Sequence, residues 1–186
     1  MKIESNPAMN NLILIGMPGA GKSTVGVILA KALRMNYIDT DLVIQDRSGR
    51  LLQEIIDKDG PDEFKRVEEA TVLSLHPRNA VIATGGSVVF SERAMECLKR
   101  EGIVIYLKIS FPEMTRRLRN ITTRGIVLVP GQSLREMFDE RIPLYERYAD
   151  LTIDCSDQDF EKVVGNVIME LGKVKISSGW ETLSGP

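Results

Sequence analysis

Gly16-Met17-Pro18-Gly19-Ala20-Gly21-Lys22-Ser23 is the stretch on which the reading of the whole chain turns. It follows the apolar run Leu12-Ile13-Leu14-Ile15 and opens a helical pattern that lasts to about residue 34, so G-x-x-x-x-G-K-S falls where a strand hands over to a helix. Glycines let the backbone curl until successive N–H groups point inward, and the new helix adds its positive end. The result is a cradle for phosphate groups. Lys22 is placed to reach the β- and γ-phosphates of a nucleotide, and the Ser23 hydroxyl to hold Mg²⁺. A glycine-rich turn with no ligand is the plainer alternative, and the strand before and helix after it tell against that.

The 186 residues suit one domain. A composition 43% hydrophobic and 27% charged is that of a globular protein with an ordinary core. With 24 basic against 26 acidic side chains, nothing global points to nucleic acid or an anionic membrane. No run approaches the roughly 20 apolar residues of a membrane span, and residues 1–10 lack the apolar segment of a signal peptide. The expectation is a cytoplasmic monomer with a small-molecule substrate and neither a nucleic-acid nor a membrane partner. Cys97 and Cys155 read as reduced packing residues, and His76, the single histidine, as a loop residue without a second metal ligand.

Strands and helices alternate along the chain. Asn36-Tyr37-Ile38-Asp39 reads as a second strand, ending in Asp39-Thr40-Asp41. Short helices are expected over residues 42–47 and 51–58 and an amphipathic one over 62–75, an inserted group ahead of the third strand, Ala80-Val81-Ile82-Ala83. Thr84-Gly85-Gly86-Ser87 follows that strand, and its small residues leave room for a ligand. Ser91 caps a helix before a fourth strand at residues 102–107, and a helix follows over 111–119. Residues 120–132 lack a clear period and sit beside Arg116, Arg117 and Arg119, which suggests a mobile, positively charged lid. Ser133 with Glu136 makes a capping-box start for the next helix. A fifth strand at 151–154 and a helix over 160–171 close the pattern, leaving 173–186 as a loosely held tail. This is a three-layer α/β/α fold on a five-stranded parallel sheet, a single domain over 1–172 with an insertion at about 41–75.

Parallel sheets keep their active sites at the carboxyl ends of the strands. There Asp39 and Asp41, Gly85-Gly86-Ser87 and the lid arginines converge on the phosphate loop. One carboxylate can fix Mg²⁺ through water, a second can accept the proton of an attacking hydroxyl, and an arginine can neutralise charge on the transferring group. The set fits phosphoryl transfer to an alcohol. Each part also has a plainer reading: Asp39 and Asp41 as a helix cap, Gly85-Gly86 as a tight turn, and the arginines as a solvated face.

The same residues resemble the shikimate kinase family. The resemblance rests on residues 16–24, Asp39-Thr40-Asp41, Gly60 through Phe64 to Glu68, Gly85-Gly86, Arg124 and Glu140-Arg141-Ile142-Pro143-Leu144-Tyr145. It covers about residues 11–154. It implies transfer of the γ-phosphoryl group of ATP to the 3-hydroxyl of shikimate, a step toward chorismate and the aromatic amino acids. It implies nucleotide binding by Gly16, Gly19, Ala20, Gly21, Lys22, Ser23, Thr24, Arg117 and Arg124. Ser23 and Asp39 would hold Mg²⁺, and Lys22, Asp41 and Arg124 would be catalytic. The acceptor would be bound by Asp41, Lys65, Gly85, Gly86, Ser87 and Arg141, with Glu68 behind them. Three departures stand out: Lys65 and Ser87 replace an arginine and a glycine of the family, and Arg124-Gly125-Ile126-Val127 replaces arginine, proline and two leucines. They raise another small hydroxylated acid as the alternative acceptor, and a silent nucleotide-binding regulator as the remaining one.

Overall fold

The computed structural model describes residues 11–118, 127 and 131–178. Five strands, β1 (Asn11–Ile15), β2 (Asn36–Asp39), β3 (Ala80–Ala83), β4 (Gly102–Lys108) and β5 (Leu151–Asp154), form one parallel sheet in the order β2-β3-β1-β4-β5. Helices flank it: α1 (Lys22–Leu33), α2 (Thr40–Ser48), α3 (Leu52–Asp59), α4 (Pro61–Leu73), α5 (Glu92–Glu101), α6 (Phe111–Leu118), α7 (Leu134–Tyr148) and α8 (Phe160–Ser178). The expected α/β architecture is the observed one.

The central strands read as unbroken apolar runs because both faces are covered. β1 and β3 are buried along their whole length, and β4 at all but its last residue. Asn11 at the start of β1 ties the lower edge together. Its amide donates to the carbonyls of Pro77 and Glu101, both at 3.1 Å, and its Oδ1 accepts from Ala80 N–H at 3.0 Å. Every buried polar end of that side chain is thereby satisfied.

The hydrophobic interior has two parts. One cluster surrounds the sheet; a smaller one, Ile44, Leu52, Ile55, Ile56, Phe64 and Val127, lies among α2, α3 and α4 with Val67 packed against it. The expected insertion therefore carries a core of its own. Helix ends follow local chemistry: Ser91 caps α5 by accepting from Ala94 N–H, and Ser133 and Glu136 form the reciprocal capping box of α7.

One expectation changes. α8 runs to Ser178, seven residues past the expected end, so part of the supposed tail is helical. Val163, Val164, Val167 and Leu171 anchor its buried face, and extending a helix that packing has already nucleated costs little. Most of the expected lid, 120–132, lies outside the described residues.

Candidate active site

β1 is the switch point of the sheet, since its neighbours β3 and β4 lead in opposite directions. The loop after it therefore opens onto the crevice. Gly16, Gly19 and Gly21 all take positive φ, at 147°, 80° and 92°. At Gly16 a β-carbon would stand 2.6 Å from the Leu107 carbonyl oxygen, and at Gly21 2.7 Å from the Phe160 ring. Glycine is required at both by conformation and by space. Lys22 is buried, and its ammonium donates to the carbonyls of Gly16 at 2.7 Å and Met17 at 3.0 Å, drawing the loop into a ring. Ser23 is half-buried and Thr24 exposed on the first turn of α1.

Arg117 braces the loop from outside. It donates to the carbonyls of Gly19 at 3.2 Å and Cys155 at 3.2 Å, and its Nε pairs with Glu113 at 2.5 Å. Arg116 makes two further bonds to Glu113, at 2.8 and 2.7 Å. These guanidinium bonds, those of Arg116 first, hold the Glu113 carboxyl well below its ordinary range, at about 2. Neither arginine is simply a solvated charge.

Asp39, at the end of β2, is the N-cap of α2: its Oδ1 accepts from Asp41 N–H at 3.0 Å. The capping reading is correct, and it leaves the site reading intact. Oδ2 accepts from the Tyr37 hydroxyl at 3.0 Å, and that hydroxyl also lies 3.2 Å from the Ser23 carbonyl oxygen. Tyr37 thus spans the two residues expected at the metal. Burial, and then the Asp39 charge, push its phenol above the ordinary range, so it stays protonated. Tyr37 had no part in the motif reading.

The loop after β3 closes the other side. Thr84 donates through Oγ1 to the Leu14 carbonyl at 2.9 Å, and Gly85 N–H donates to Thr40 Oγ1 at 3.1 Å. The middle residue of Asp39-Thr40-Asp41 thereby docks the β2 end to the β3 end. A pocket with free volume of about 20 Å³, room for about one water, is lined by Pro18, Asp41, Glu68, Gly86, Val127 and Arg141, with Phe64, Gly85 and Ser87 completing it.

Arg141 and Tyr145 lie one turn apart on α7; Arg141 lines this pocket, and Tyr145 reaches the backbone of Gly86 beside it. Arg141 is 2% exposed, and its Nη2 donates to the Val127 carbonyl at 2.6 Å. The Tyr145 hydroxyl donates to the Gly86 carbonyl at 2.6 Å. Glu68 on α4 is buried as well, and Ser87 Oγ donates to its Oε2 at 2.6 Å. Burial is the main cause that raises the Glu68 carboxyl to about 7; the Ser87 bond opposes it and the Asp41 charge reinforces it.

Of the expected acceptor residues, Asp41, Gly85, Gly86, Ser87 and Arg141 meet at this pocket; Lys65 stands outside its lining. The Lys65 ammonium lies 3.4 Å from Asp62 and 5.1 Å from the centroid of the Phe90 ring, on which the Arg141 guanidinium also rests at 5.4 Å. Phe90 holds both cations and escaped the sequence reading, because only the fold brings the turn after Ser87 against α4 and α7. Arg66 points to solvent and pairs with Glu63 at 3.2 Å. Ser87 was expected beside the substrate ring; it lines the pocket, and its hydroxyl is bonded to Glu68. Arg124 lies outside the described residues. Among those described, no helix is long and apolar enough to cross a membrane, and no cluster of three His, Cys, Asp or Glu side chains could hold a metal ion.

A phosphate loop on a parallel sheet, facing a small acid-and-arginine pocket, defines a P-loop kinase of small molecules. A family model described as shikimate kinase matches residues 18–172. A shikimate kinase of Caldanaerobacter subterraneus subsp. tengcongensis is 38% identical over 170 residues, 90% of this chain and 99% of that one. The structure of shikimate kinase from Acinetobacter baumannii in complex with shikimate matches with a TM-score of 0.83 and 30% identity over 91% of this chain and 96% of that one. That of shikimate kinase from Aquifex aeolicus gives 0.76 and 28%, over 89% and 98%. The chain belongs to the shikimate kinase family.

Proposed function

We propose that this chain transfers the γ-phosphoryl group of ATP to the 3-hydroxyl of shikimate, as a cytoplasmic monomer. The observation that carries the reading is the pairing of the Gly16–Ser23 loop with a pocket that presents Asp41 and Arg141 together.

The N–H groups of residues 19–24 would hold the nucleotide phosphates, with Lys22 at the β- and γ-phosphates. Asp41 would take the hydrogen bond of the reacting hydroxyl and so orient it in line, its carboxylate being the nearest base. Arg141 would bind the acceptor carboxylate. Its Nη2 already has an oxygen acceptor in the Val127 carbonyl, and a carboxylate would take that place with a stronger, charge-assisted bond. Arg124 is assigned to the transferring phosphoryl group on the resemblance alone.

The donor set suits Mg²⁺, an oxygen-seeking cation that P-loop sites hold with few protein ligands. Ser23 offers a hydroxyl, and Asp39 has both oxygens fixed by Tyr37 and Asp41 N–H, which leaves lone pairs for a water-bridged contact. Bound there, Mg²⁺ would neutralise charge on the phosphates.

Lys65 outside the pocket favours one further reading, a different small hydroxylated acid as acceptor. ADP release from MgATP, measured with and without shikimate, separates the two. Strong stimulation by shikimate is the expected result. ATP binding without stimulation would overturn the assignment and move the search to other hydroxy acids.

A further inference from the structure

Phe90 belongs neither to the phosphate loop nor to the lining of the acceptor pocket, yet two cations rest on its ring. It ends the short 3-10 turn Val88–Phe90, which follows the pocket residue Ser87. That turn is fastened to α4 on both sides: Ser87 Oγ donates to Glu68 at 2.6 Å, and Ser91 Oγ to Glu69 at 2.6 Å. Lys65 stands one turn before those two acids on the same helix, so the bonds that seat the turn also bring the ring against it. The Lys65 ammonium lies 5.1 Å from the ring centroid, and the guanidinium carbon of Arg141 on α7 lies 5.4 Å from it. Both are within the roughly 6 Å over which an aromatic face attracts a cation.

The other holds on these cations are of two kinds. Lys65 pairs with Asp62 at 3.4 Å, but the Asp62 side chain is 89% exposed, and such a surface pair contributes little. Arg141 is buried; its Nη2 donates to the Val127 carbonyl at 2.6 Å, while its Nε has no hydrogen-bond partner among the described residues. An acceptor carboxylate would take the place of the Val127 carbonyl and so remove that hold. It would leave the contact with the ring untouched. Two positive groups gathered near one acid group also repel each other, and the negative face of an aromatic ring offsets part of that repulsion.

We propose that Phe90 is a positioning residue for the acceptor's acid group. Its ring keeps the Arg141 guanidinium in register when the Val127 carbonyl is displaced, and holds Lys65 close by as a second positive charge that favours an anionic acceptor over a neutral one. This rests on the kinase reading above and deepens it.

The experiment compares shikimate with its methyl ester at saturating MgATP, for the wild type, for Phe90→Leu and for the protein carrying pentafluorophenylalanine at position 90. Leucine keeps an apolar side chain without a ring; the fluorinated residue keeps the ring and its shape but reverses the sign of its face. KM for shikimate is expected to rise about three- to tenfold in both, with kcat nearly unchanged and little change for the ester. A fluorinated protein that matches the wild type would reduce Phe90 to packing and overturn the proposal, as would equal losses on acid and ester. NMR of the free protein checks the contact apart from turnover: the ε-methylene protons of Lys65 should be shifted upfield by the ring and lose that shift in Phe90→Leu, and their absence of shift in the wild type would also overturn it. Wild-type turnover of shikimate tests the kinase reading alone; the variant-to-wild-type ratios test Phe90, on whichever carboxylic acid the wild type phosphorylates and on its ester.

Discussion

The nucleotide side and the acceptor side of the crevice are built on different principles. The loop 16–21 is a backbone device: three glycines at positive φ, a lysine bonded to the loop's own carbonyls and an arginine bracing it from behind. It is seated on the large core around the sheet. The acceptor pocket is made of side chains on α4, α7 and the loop after β3. It leans on the small separate core of α2 to α4, and among the described residues it leaves Glu68 Oε1 and Arg141 Nε without a hydrogen-bond partner. A cradle satisfied by its own backbone suits a ligand common to many enzymes. Polar groups completed by the ligand itself suit discrimination among acceptors, because a wrong acceptor leaves them buried and unpaired.

The sharpest way to break this division is Asp41→Asn. If Asp41 acts on the acceptor alone, turnover falls by about 10²- to 10⁴-fold, the range for losing a positioned general base, while ATP affinity from direct titration stays near the wild-type value. Equal loss of both would mean that the two sides are not separable.

Tyr37→Phe probes the seam between the sides. The phenyl ring keeps its packing against Gly26, where a β-carbon would stand 2.7 Å from the ring, and loses only the hydroxyl bonded to Asp39. Partners of metal-holding groups commonly alter affinity by about tenfold or more. The Mg²⁺ dependence of ADP binding, followed by calorimetry, should weaken by about that factor, with metal-free ADP binding unchanged. An unchanged Mg²⁺ dependence would sever Tyr37 from the metal.

How far each side is legible in the chain follows from the same contrast. The phosphate loop is written in contiguous residues whose spacing is its geometry, so the motif alone places Gly16, Gly21 and Lys22. The capping box at Ser133 and Glu136 is local too. At Asp39 the helix-cap reading and the ligand reading looked like alternatives, yet one carboxylate serves the cap with one oxygen and faces Tyr37 with the other. Ser87 and Glu68 are 19 residues apart, and no periodicity says that the hydroxyl turns to the carboxylate rather than to a substrate. Phe90 stands in no motif and Tyr37 reads only as part of a strand; tertiary packing alone makes one a platform for two cations and the other a bridge. The length of α8 was missed because its last turns carry no amphipathic signal, only continuity with a packed helix.

Glu113→Gln tests whether bracing by Arg117 matters to the nucleotide side. The Glu113 carboxyl is depressed from its ordinary 4.5 to about 2, so its stabilising effect is complete above about pH 4.5 and is lost as pH falls toward 2. Thermal melts should place the variant a few degrees below the wild type, about 2–4 °C, at pH 7 and at pH 5, with the gap closing by pH 3 and below. A gap that widened in acid would reverse the sign and remove Glu113 from the account. ADP affinity should fall in parallel, about two- to threefold, if Arg117 loses its hold on the Gly19 carbonyl.

Lys65→Arg is expected to improve binding rather than impair it, and it sharpens the acceptor side. Lys65 and Arg141 share the Phe90 ring, but only Arg141 lines the pocket. A guanidinium at position 65 can stay stacked on Phe90 and still extend a planar fork toward a carboxylate, which an ammonium cannot do with two parallel bonds. For a carboxylate-bearing acceptor, KM should fall about two- to fivefold, with kcat and ATP affinity unchanged. An unchanged or higher KM for shikimate would leave Arg141 as the single carboxylate contact. Lys65 would then act only by holding Phe90 in place, and the acceptor would be defined by its hydroxyls more than by its acid group.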